Sequence, residues 1–75
     1  MTLIVIKDNN DDLGAAQMVA IALCAAGVTQ PYPGGLPFRA VDEYGGSIEI
    51  ECYKEELRRA KAAFMAVGFT VLTGV

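Results

Sequence analysis

Phe38-Arg39-Ala40-Val41-Asp42-Glu43-Tyr44-Gly45-Gly46-Ser47-Ile48-Glu49-Ile50-Glu51-Cys52-Tyr53 is the stretch on which the fold turns. Its second half alternates: Ile48, Ile50 and Cys52 fall at one parity, Glu49, Glu51 and Tyr53 at the other. Successive side chains of a strand point to opposite faces, so this spelling predicts a half-buried strand over Ser47 to Tyr53. Phe38 to Val41 is a shorter strand candidate. Asp42 to Gly46 carries the acids and glycines of a tight turn. The two strands form a hairpin in the second half of the chain.

A helix is predicted on each side of that hairpin. Leu13 to Ala26 is rich in alanine and stops at Gly27. Lys54 to Val67 has Leu57, Ala60, Phe64 and Val67 at spacings of three and four, which make a core stripe, and Gly68 is a C-cap. Thr2 to Lys7 is a β-branched run without alternation, the mark of a central strand, and Phe69 to Thr73 is the last strand. Gly27 to Pro37 holds three prolines and three glycines and is predicted to be irregular throughout. The order βαββαβ is that of a ferredoxin-like sandwich in a single α+β domain over residues 1–75. Right-handed crossovers place both helices on one face of a four-stranded antiparallel sheet. The other face is then open, with Glu49, Glu51 and Tyr53 projecting from it into solvent.

Composition narrows the function classes. Nine acids oppose six bases, for a net charge of −3, and four of the bases share the second helix with Glu55 and Glu56. No basic patch of the kind that binds nucleic acid is present. The chain has no histidine, which removes histidine triads, imidazole ligands and the usual pH switch. Cys24 and Cys52 form no Cys-x-x-Cys unit, so no metal or redox cofactor is expected. Two buried thiols are the expectation, with one bridge left open. Met1 leads into strand residues without a basic region, and the apolar run Met18 to Val28 is too short for a bilayer. Cytoplasmic residence without membrane contact is therefore expected. Asp8, Asn10 and Asp12 alternate as in a calcium loop, but Leu13 and Val19 stand where that loop needs glycine and glutamate. A helix N-cap accounts for them better. Neither Gly34-Gly35 nor Gly45-Gly46 belongs to a phosphate-binding pattern. No enzyme is expected.

The first helix carries the positive signal. On a helical wheel of about 100° per residue, Leu13, Ala16, Ala20, Leu23 and Cys24 share the side that should face the sheet. Ala15, Met18, Ala22, Ala25 and Ala26 share the other side, where a solvated helix normally puts charge. No charged residue occurs from Leu13 through Phe38. Met18, Ala22 and Ala25 are therefore expected to meet a protein partner or a second copy. Tyr32, framed by Pro31 and Pro33, is expected to be an exposed, preordered contact residue. Glu49 and Glu51 should form a solvated acidic patch facing a basic surface, joined by Tyr44.

The third strand lacks the basic and aromatic motifs of RNA-recognition modules, and the first loop lacks the cysteines of heavy-metal domains. Asn10-Asp11-Asp12 looks like the Asn-Asp-Asp of the N-end-rule protease adaptor, which there holds a substrate's amino terminus. Lys54-Glu55-Glu56-Leu57 through Gly68-Phe69-Thr70-Val71-Leu72 is similar to the closing helix and strand of the ribosomal stalk protein's C-terminal domain. The likeness covers the two ends only. The middle is short and proline-rich, the adaptor's pocket histidine has no counterpart, and no family is assigned. The expected function is a small acidic protein-binding domain, an inhibitor or adaptor that occludes a partner surface. Phage-encoded inhibitors of host systems, such as anti-CRISPR proteins, are its analogues in size and charge. The alternative is a small-ligand-sensing regulatory module working as a dimer.

Overall fold

The computed structural model describes residues 2–8, 13–41 and 46–74. Its elements are β1 (Thr2–Asp8), α1 (Leu13–Ala25), β2 (Thr29–Gln30), β3 (Arg39–Val41), β4 (Ser47–Cys52), α2 (Leu57–Ala66) and β5 (Phe69–Gly74), and a single 3-10 turn (Lys54–Glu56) leads into α2. The chain is α+β, with two helices and a five-stranded antiparallel sheet. Strand β1 is central, as its unbroken apolar run predicted, with β4 on one side and β5 on the other. The register runs from Thr2↔Cys52 to Ile6↔Ile48 on the β4 side, and it shifts by a bulge between Val5 and Ile6 on the β5 side.

The expectation of four strands is corrected to five. Thr29 and Gln30 pair with Cys52 and Glu51, along the edge of β4 that Arg39–Val41 also uses. Their residues precede Pro31, so their N–H groups are intact and can join a ladder. The edge strand is thus in two pieces. The chain leaves the sheet after Gln30, which pairs with Glu51, and returns at Arg39, which pairs with Glu49.

One core joins the helices to the sheet. Ile4, Ile6, Ile48, Ile50 and Cys52 pack with Ala16, Ala20 and Leu23 of α1 and with Ala60 and Phe64 of α2. Burying each large aliphatic or aromatic side chain of this kind stabilises by about 1.5–3 kcal/mol. Phe64 meets Phe69 edge-on at 6.3 Å between ring centres. The end of α1 is closed by a Schellman motif. Val28 N–H donates to the Leu23 carbonyl at 2.9 Å and Gly27 N–H to that of Cys24 at 3.1 Å. Gly27 takes the positive φ of 78° which that geometry needs. Val67, placed in the α2 core stripe by its spacing, is 54% exposed instead. It is the C-cap of α2, with φ −104° and ψ 15°, so the chain has already left the helix and the periodicity no longer governs it.

Candidate interaction site

Helix α1 shows two unlike sides. Ala16, Ala20 and Leu23 are buried, Leu13 and Cys24 half-buried, as the wheel required. Met18 is 73% exposed and Ile21 54%, with Ala22, Ala25 and Ala26 also outward; Ala15 is half-buried. Leu36, on the adjoining loop, is likewise exposed. Between helix and loop lies an open cleft of about 360 Å³, lined by Ile21, Cys24, Ala25, Gly35 and Pro37. The helix face and the loop tip together make one uncharged surface. Apolar residues scattered singly on a surface are ordinary, whereas Met18 and Ile21 stand three residues apart on one helix and so are neighbours. Ile21 and Leu36 were not among the expected contacts. Ile21 lies between the two stripes of the wheel, and Leu36 sits in a loop where no periodicity applies.

The face of the sheet away from the helices differs from expectation. Glu49 is only 8% exposed, so the solvated patch predicted from Glu49 and Glu51 is corrected. Tyr32, expected to stand in solvent, is half-buried, and its hydroxyl donates to Glu49 Oε1 at 2.9 Å. Arg39 Nε lies 3.5 Å from the same oxygen, and its guanidinium carbon is 5.9 Å from the Tyr32 ring centre. The loop between β2 and β3 therefore folds back and caps this acid. Glu51 stays half-exposed beside it, and Tyr53 is exposed. Tyr44 falls outside the described residues, as do Asn9 to Asp12 of the acidic turn. Arg39, missed in the sequence, carries one signal that could have found it: it is the only base between Lys7 and Lys54.

The electrostatics follow from this packing. Burial, then the bond to Glu49 and the negative charge of Glu49 and Glu51, push the Tyr32 hydroxyl far above the usual tyrosine range, with Arg39 opposing. It stays protonated and keeps its role as donor. Burial also pushes the Cys52 thiol up, helped by Glu56 and Glu55, and its Sγ lies 3.2 Å from the Tyr53 carbonyl. A thiol held protonated in the core is inert. Both cysteines are free. Cys24 is half-buried, not fully buried as expected.

Among the described residues, no group of three or more histidine, cysteine or acidic side chains is placed to hold a metal ion. Among the same residues, no helix is long and apolar enough to cross a membrane. No family model, curated protein or solved structure matches the chain.

Proposed function

We propose that this chain is a small, acidic, non-enzymatic protein-binding domain, an inhibitor or adaptor that occludes its partner's surface through α1. The observation that carries the reading is the outer face of α1, with Met18 and Ile21 exposed beside Ala22 and Ala25 and without a charge. Small side chains allow a close backbone approach, and methionine adapts its shape to an apolar partner. Leu36, exposed between the cleft-lining Gly35 and Pro37, adds an apolar side chain on the loop. The supporting architecture is read as ferredoxin-like, its second strand divided into β2 and β3 by the proline loop. Kinship with phage-encoded inhibitors rests on size and acidity alone.

The test is retention of a partner by the wild-type chain, set against Met18→Lys. A specific protein lost with Met18→Lys, and bound by the purified wild-type chain in isolation, supports the reading. Equal retention by both chains removes α1 as the contact. A small-ligand-sensing module is the second reading. The α1 cleft favours it, since about 360 Å³ lies in the range of roughly 300–1,000 Å³ that ligand pockets occupy. Its open, apolar lining has no converging charged groups, which ranks it behind the protein partner.

A further inference from the structure

Residues 31–38 hang from the sheet edge between Gln30 and Arg39. Their course between those anchors is set at Tyr32. The hydroxyl of Tyr32 donates to Glu49 Oε1 at 2.9 Å. Its N–H donates to the Leu36 carbonyl at 2.7 Å, and its carbonyl accepts from the Gly35 N–H at 3.0 Å. One residue thus ties the sheet to the tip of the loop. The tip has little packing of its own: a Cβ added at Gly34 or Gly35 would meet nothing within 4 Å, and Leu36 is exposed. That same tip supplies a wall of the α1 cleft, with Gly35 and Pro37 facing Ile21, Cys24 and Ala25.

We propose that the Tyr32–Glu49 hydrogen bond is a latch that holds the 31–38 loop in place and so sets the width of the cleft beside Cys24. A hydrogen bond to a carboxylate is stronger than one between neutral groups, and here the donor is partly withdrawn from water. Arg39 lies beside both partners of this bond, 3.5 Å from Glu49 Oε1 and 5.9 Å from the Tyr32 ring centre. With the latch broken, Tyr32 loses its tie to the sheet. Leu36 and Gly35 then move with it, because their backbone bonds join them to Tyr32. The loop swings about Gln30 and Arg39, the cleft widens, and the sheet and both helices stay folded. The latch stands whether or not a protein occupies α1. If one does, it meets a surface whose width is set from the opposite face of the sheet, and that consequence alone rests on the proposed function.

Cys24 reports the opening directly. The rate at which it reacts with an aromatic disulfide reagent is measured in the intact chain under native conditions, for wild type, Tyr32→Phe and Glu49→Gln. Cys52, fully buried, serves as the internal standard for global unfolding. Tyr32→Phe is expected to raise the Cys24 rate about tenfold, the factor given by a loss of about 1.4 kcal/mol. Glu49→Gln keeps an acceptor but loses the charge, so its rise is smaller, and Cys52 stays protected in both. An unchanged Cys24 rate in Tyr32→Phe overturns the latch. So does a Cys52 rate that climbs in step with that of Cys24, since the whole domain is then loosening. Failure of the partner reading leaves this experiment untouched, because no partner enters it.

Discussion

Helix α1 turns Met18, Ile21, Ala22 and Ala25 away from the sheet, while helix α2 turns Arg58, Arg59, Ala62 and Met65 outward. Their inner sides are alike: buried alanines, Ala16 and Ala20 in one and Ala60 in the other, each with a larger buried residue, Leu23 or Phe64. The outer sides are not. Arg59 reaches Glu56 one turn earlier at 3.6 Å, and Arg58 is exposed beside it. Such exposed pairs contribute little stability, but they keep a helix face in water. α1 has no such group over its whole length. The inner faces are common to both helices, and the outer faces set the two apart.

That division can be broken at several strengths. Phe64→Ala removes the largest fully buried side chain and is expected to cost about 3–5 kcal/mol in urea unfolding. A loss below about 1 kcal/mol would show that the α2 inner face is not the core.

Alkaline pH acts next, on the sheet side. The folded pKa values of Tyr32 and Cys52 are raised above their unfolded ones. Their contribution is fully present below the ordinary values, about 8.5 for cysteine and about 10 for tyrosine. It is lost as pH rises through the raised folded values. Urea midpoints should fall steadily above about pH 8.5, and the tyrosine part of that fall should vanish in Tyr32→Phe. A flat profile to pH 11 in wild type contradicts the burial of both groups.

A smaller change, of opposite sign, lies under α1. Thr29 is buried, and its Oγ1 finds no hydrogen-bond partner among the described residues. Thr29→Val keeps the shape and removes the orphan hydroxyl, so stability should rise by about 1 kcal/mol. The smallest effects belong to the outer faces. Met18→Lys and Met65→Lys should each change stability by less than about 0.5 kcal/mol, as thermal unfolding would record.

The sequence made the inner faces legible and left the covering of the sheet obscure. Ile48, Ile50 and Cys52 could be assigned to one side because strand parity is local, and Ala16, Ala20 and Leu23 because helical spacing is local. The same parity put Glu49 on the far side correctly. It carried no information about what lies over that side. The cover is Tyr32, seventeen residues earlier in the chain, brought there by an excursion between two strand pieces. Strand β2 was hidden for a related reason: two residues beside a proline cluster have no periodicity, and only their partner, β4, makes them a strand. Val67 was misplaced because a repeat of three and four does not announce where the helix stops. On the outer side of α1, Met18, Ala22 and Ala25 were legible through missing charge. Ile21 and Leu36 needed the fold to bring helix and loop together.

The most direct test of α1 as the contact uses its own exposed methionine against that of α2. Met18 and Met65 are both exposed, one on each outer face. Methyl-labelled methionine NMR follows both at once as the retained partner is titrated in. With α1 as the contact, the Met18 resonance shifts or broadens while that of Met65 stays in place. Movement of Met65 with Met18 unchanged would contradict it.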